Sequence, residues 1–131
     1  MRGLLIKTPW IDAILEGRKT WEICGSNTRV RGTIALIRSG SGHIAGTCEL
    51  WDVKGPLTLA QMRKNVRKHR IPPADLARGL PYAKTYAWVI GNAKALKKPI
   101  PYKHPPGAII WAITNLPYQR GMLYLTGRAK S

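Results

Sequence analysis

The chain has 131 residues, enough for one domain with a real hydrophobic core. It has no run of about 18 apolar residues, so a membrane-spanning helix is excluded and no membrane partner is expected. Twenty-two Lys and Arg stand against six Asp and Glu, a formal net charge of +16 that points to a polyanionic partner.

Charge is concentrated between Lys54 and Lys103, where Asp75 is the sole carboxylate among twelve Lys and Arg residues. Cys24 and Cys48 make a poor disulfide framework for a domain this size. With His43, His69 and His104 they show no zinc-ligand spacing, so neither metal nor cofactor is expected, and a reducing cytoplasm is the expected location.

Met1 to Lys7 is basic, then apolar, and too short in its apolar part for a secretory signal. Gly3 to Lys7 reads as a first strand. Thr8-Pro9-Trp10 reads as a helix start, with Thr8 as N-cap and Pro9 at the first helical position. Trp10, Ala13 and Ile14 share a face, and Gly17 stands where a helix-ending glycine belongs. Lys19 to Cys24 reads as a strand with Thr20 and Glu22 on one face and Trp21 and Ile23 on the other. A polar loop, Gly25 to Arg31, precedes a β-prone strand over Gly32 to Arg38. Ser39-Gly40-Ser41-Gly42 is a turn into another strand, His43 to Val53, with Cys48 and Leu50 on one side.

Thr58-Leu59-Ala60-Gln61 is a capping box, and Leu57 and Met62 are placed as its hydrophobic staple. The helix it opens turns Leu59, Met62, Val66 and His69 inward, and Arg63, Lys64, Arg67, Lys68 and Arg70 outward. Pro72-Pro73 ends it, and Ala74 to Ala77 reads as a short turn. Thr85 to Ile90 alternates like a barrel strand. Lys94 to Lys103 is extended because of Pro99 and Pro101, and Ala108 to Ile113 is the last strand. Residues 116–131 are read as a tail in which Met122 to Leu125 can pack back on a domain of residues 1–115. Five to six mixed strands and two or three short helices predict a small α+β barrel.

Several segments together resemble the ASCH domain family of the PUA-like superfamily. The family signature, roughly G-x-K-x-x-E-x-R after a short helix with a Pro-Trp or Pro-Tyr pair, is met by Pro9-Trp10 and then Gly17, Lys19 and Glu22. Cys24 stands where the family has arginine. Ile44-Ala45-Gly46, Tyr86 to Val89, Pro99 to Tyr102 and Gly107 extend the resemblance over Leu4 to Ile113. It implies a PUA-like β-barrel whose flanking helices border a basic cleft, and binding of RNA or of a modified base. Some ASCH relatives are implicated in cleaving single-stranded RNA, and small bacterial relatives hydrolyse N4-acetylcytidine.

Lys19 and Glu22 are the centre of the candidate site. A lysine at a low-dielectric cleft can bind phosphate or be tuned toward base or nucleophile chemistry, and a glutamate can orient it or move a proton. The alternative is a structural pair joining the first helix to the barrel. Acetylcytidine hydrolases of this resemblance use a lysine, a strand threonine and a distant glutamate. Here Thr20 lies nearby, but the stretch Arg67 to Arg70 offers no carboxylate. Thr20 and Glu22 therefore remain catalytic candidates only in a rearranged set.

For nucleic-acid contact the candidates are Trp10 as a rim aromatic, Ser39 and Ser41 as a phosphate-holding turn, and Arg63, Arg67 and Arg70 as a basic helix face. Tyr86 is a candidate stacking residue, and Lys103 and His104 a second wall. Trp21, Trp51 and Trp111 are expected in or near the core, and Trp88 as core. The expected function is a single-stranded-RNA-binding domain, alone or within a larger RNA-processing assembly. The alternative is a hydrolase with Lys19 in its active site.

Overall fold

A computed structural model describes residues 1–104, 106 and 111–113. The elements run β1 (Arg2–Ile6), α1 (Trp10–Leu15), β2 (Trp21–Cys24), β3 (Gly32–Arg38), β4 (His43–Lys54), α2 (Leu59–Lys64) and α3 (Val66–His69). A 3₁₀ turn (Pro73–Leu76), β5 (Tyr86–Pro101) and β6 (Trp111–Ile113) follow. All six strands form one curled sheet of the half-barrel type, in the order β2-β5-β4-β3-β1-β6. β1 lies parallel to β3, and every other neighbouring pair is antiparallel. The tail expected over residues 116–131, with Met122 to Leu125, lies outside the described residues.

Period-two alternation explains how this sheet is covered on both sides. On the concave side Leu4, Ile6, Ile34, Leu36, Cys48, Leu50, Trp88 and Ile90 meet Ile11 and Ile14 of α1. On the other face of β2 and β5, Trp21, Ile23 and Ala87 meet Leu57, Met62 and Leu76 from the helical insertion between β4 and β5. Trp88 is fully buried; its indole N–H donates to the Ser26 carbonyl at 2.9 Å, and its ring stacks on Trp111 at 5.4 Å. Both cysteines are free and buried, and burial pushes the Cys48 thiol up to about 12.

Local expectations met two departures. Thr8 does not cap α1: its hydroxyl accepts from Arg38 Nη1 at 2.8 Å, and Pro9 takes the N-cap position without a side-chain bond. The single helix expected over residues 59–69 is divided at Asn65, whose φ of −118° lies outside the helical range. Lys94 to Pro101 is extended, as expected, and continues β5 to a length of 16 residues. The capping box is also complete. Thr58 Oγ1 accepts from Gln61 N at 3.1 Å, and Gln61 Oε1 accepts from Thr58 N at 2.8 Å.

Candidate functional site: a lysine-floored cleft

α1 ends at Gly17, whose φ of +80° suits a residue without a side chain. The chain then crosses to β2 in three residues, and this crossing sets the site. Thr20 N donates to Lys68 O at 2.9 Å, tying the crossing to α3. Lys19 precedes the strand, so its side chain does not obey strand alternation. It turns inward and is 3% exposed.

The Lys19 ammonium donates to the His69 carbonyl at 2.6 Å and lies 3.5 Å from Glu22 Oε1. It also sits 5.0 Å from the Trp10 ring centroid, a cation–π distance. The ammonium is thus held by two oxygens and an aromatic face while its side chain borders the cleft. Burial pushes the Lys19 amine below the ordinary lysine range, with Glu22 opposing. Burial likewise pushes the Glu22 carboxyl up, with Lys19 opposing. Each charge thereby offsets part of the cost of burying the other.

His69 fixes the carbonyl that receives Lys19. Its Nδ1 accepts from Ile71 N at 2.9 Å, so Nε2 carries the hydrogen and donates to Met62 O at 2.7 Å. Burial holds the imidazole below its usual range, and it is neutral. Arg70, next in sequence, adopts left-handed geometry at φ 66° and donates from Nε to Arg18 O at 2.7 Å. The corner after α3 is thereby stapled to the corner after α1.

Above Lys19 opens a cleft of about 350 Å³, lined by Leu5, Ile6, Lys7, Trp10, Lys19, Glu22, Ile71, Pro81 and Tyr82 among others. A cleft of that size matches a small-ligand site. Tyr82 reaches it because Gly25 lies under its ring; a Cβ there would stand 2.8 Å from Tyr82 Cδ1. Among the described residues, no group of three His, Cys, Asp or Glu could hold a metal ion.

The structure brings Lys19, Glu22 and Trp10 together in this cleft. It does not bring Thr20, which is exposed and does not line it. Tyr86 is half-buried against the concave core and Tyr82, not Tyr86, is the tyrosine of the cleft. Ser41 is spent on its own turn: its hydroxyl donates to Arg38 O at 2.7 Å and accepts from His43 N at 3.0 Å. Ser39 N donates to Ile6 O at 2.9 Å, which sets that turn beside the end of β1. His104 pairs through Nδ1 with the Tyr102 hydroxyl at 2.7 Å, and Tyr102 N donates to Gly42 O. Lys103 and His104 therefore adjoin the serine turn and do not wall the cleft.

On the helical insertion Arg63, Arg67 and Arg70 are exposed, and Lys68 Nζ lies 5.0 Å from the Trp21 ring centroid. Trp51, expected in or near the core, is 56% exposed. Sequence reasoning missed Tyr82, Ile71 and the His69 carbonyl. Ile71 and Tyr82 lie in a connector without periodicity, where only Pro81 and the glycine at 25 hint at close approach. The His69 carbonyl is main chain at the end of α3, which side-chain patterning does not single out.

A curled mixed sheet with short helices and a cleft beside α1 defines a PUA-like α+β domain. The family model of the ASCH domain matches residues 4–100, and the chain belongs to that family. ASCH domains are RNA-binding-like as a class. The fold is similar to the crystal structure of ASCH from Zymomonas mobilis, at 13% identity and a TM-score of 0.63 over 76% of this chain and 72% of that one. Crystal structures of two single-residue mutants of that Zymomonas protein are similar to the same degree, both at a TM-score of 0.63. No curated protein matches the sequence.

Proposed function

We propose that this ASCH domain binds single-stranded RNA, taking one unpaired nucleotide into the Lys19 cleft while the basic helices hold the backbone. The observation that carries the reading is a buried ammonium at the floor of an open cleft, flanked by the Glu22 carboxylate and the Trp10 ring. A buried charge costs stability unless something uses it. An RNA phosphate or base oxygen is the acceptor such a site fits, and a free Glu22 lone pair can accept from an exocyclic amine. Trp10 and Tyr82 offer aromatic surface to the base.

A hydrolase is the second reading, favoured by one observation: burial lowers the Lys19 amine toward the range where lysines act as bases or nucleophiles. Against it, the cleft-lining residues include no serine or threonine hydroxyl.

One experiment addresses both. Labelled single-stranded RNA is titrated with wild type and Lys19→Met, following anisotropy and RNA integrity in the same tube, with N4-acetylcytidine in a parallel well. Removing one charge-assisted hydrogen bond should weaken binding by roughly tenfold. Wild-type affinity no greater than that of an unrelated protein of equal charge would sink the proposal. Multiple turnover that vanishes in Lys19→Met would replace it with the hydrolase.

A further inference from the structure

Trp51 is exposed by construction, not by default. On β4, Leu50 opposes Ile90 and Asp52 opposes Val89, so Trp51 is an extra residue in a β-bulge. Bulges of this kind re-aim a side chain. Its six-membered ring lies over Gly91 of β5, so that any side chain there would collide with Cη2, Cζ3 and Cζ2. The indole Nε1 donates to Glu49 Oε1 at 3.4 Å, and Asn92 Nδ2 donates to Glu49 Oε2 at 2.6 Å. Asn92 holds a φ of +54°, an uncommon conformation for a residue with a side chain. Three departures from regular sheet thus orient one ring that remains 56% in water. Core packing explains none of them.

The ring also has a definite neighbourhood. It stands where a Gly91 Cβ would point, which is the face of β5 that carries Val89 two residues earlier. Val89 pairs with Trp21 on β2, and Lys68 of α3 lies over that Trp21 ring. The exposed indole and the basic α2–α3 segment therefore share one outer face of the sheet. Trp51 itself lies outside the Lys19 cleft, whose lining includes neither it nor Gly91.

We propose that Trp51 is a stacking platform for a base of single-stranded RNA, gripping the strand outside the cleft while Arg63, Lys64, Arg67 and Lys68 contact its phosphates. The inference rests on the RNA-binding reading and extends it to a second point on the strand. RNA is the occupant that the charges favour. The α2–α3 segment bears four cations besides the neutral His69 and no carboxylate. Glu49 has both oxygens engaged, and Asp52 faces Lys54 at 3.8 Å, so neither is free to recruit a basic peptide.

The test uses the full chain and a labelled short oligouridylate, with an oligomer of equal length carrying abasic sites. Wild type should prefer the base-bearing oligomer. Trp51→Ala should bind it roughly tenfold more weakly, with the slope of log affinity on log salt unchanged, because a stacked base releases no counterion. Trp51→Phe should recover much of the loss. Gly91→Ala, which keeps the indole but dislodges it, should behave like Trp51→Ala. Because the cleft also takes a base, the platform is read from the share of the base preference that Trp51→Ala loses. Recovery in Trp51→Phe, together with unchanged affinity of Trp51→Ala for the abasic oligomer, shows that the loss is not a folding defect. If wild type binds RNA while Trp51→Ala binds equally well, the platform is wrong and the RNA reading stands. If wild type binds no better than a charge-matched protein, both fall. Preferential loss of oligolysine binding in Trp51→Ala would overturn the proposal in favour of a basic peptide.

Discussion

Lys19 and Glu22 are a pair whose members each harm the fold alone. A buried charge stripped of its partner is destabilising by about 3 kcal/mol or more, whereas removing both can be nearly neutral. Lys19→Met and Glu22→Gln should each lower the urea midpoint substantially. The double variant should return to within about 1 kcal/mol of wild type, a coupling that a double-mutant cycle reads directly. Additive losses would mean that the two side chains act independently. RNA affinity should not return with stability, since the double variant has no cation at the cleft floor.

The corner formed by α3, His69 and Arg70 is the element on which that pair depends. His69→Ala removes two hydrogen bonds and a buried ring, so it should cost about 3 kcal/mol in chemical denaturation at neutral pH. Because burial holds the folded imidazole below its ordinary value of 6.5, the unfolded chain takes up the proton first on acidification. The stability His69 contributes is therefore complete above that value and is lost as pH falls toward the lower folded one. The gap between wild type and His69→Ala should narrow from about pH 7 toward pH 5. Glu22 acts with the opposite sign. Its folded carboxyl holds a proton above 4.5, so acidification through that raised range adds stability, in the wild type and in His69→Ala alike.

Element by element, what was legible in the sequence was what local chemistry decides. The Thr58–Gln61 box, the glycine after α1 and the continuous β-prone run of β3 all depend on residues within a few positions, and all are present. Lys19 meeting Glu22 needed a corner that alternation does not contain. It is supplied by the three residues between Gly17 and Trp21 and by a carbonyl 50 residues away in sequence. Trp51 was misplaced for a related reason: one inserted residue shifts a strand's parity, and nothing in Glu49-Leu50-Trp51-Asp52 marks the insertion. Thr8 had the right chemistry for a cap, but Arg38 claimed its hydroxyl through tertiary structure.

For the whole molecule, the charge of +16 sets how binding responds to salt. If six or more cations meet phosphates, affinity should fall by about a thousandfold between roughly 50 and 200 mM salt. Replacing Arg63 and Arg67 together by Gln should reduce the logarithmic salt slope by about 0.7 for each phosphate no longer neutralised, with little change in thermal stability. An unchanged slope would remove those two arginines from the interface.

The sheet order also has a consequence in time. β1 lies between β3, its parallel partner, and β6, the last strand described. During synthesis the β1 segment leaves the ribosome before the other described strands, yet one of its neighbours arrives only when Trp111 to Ile113 emerge. Parallel and long-range pairings are slow to close, and an unpaired strand edge invites association. Until translation has passed β6, the nascent chain carries an open flank beside β1, and a ribosome stalled before that point would present it to any chaperone or protease nearby.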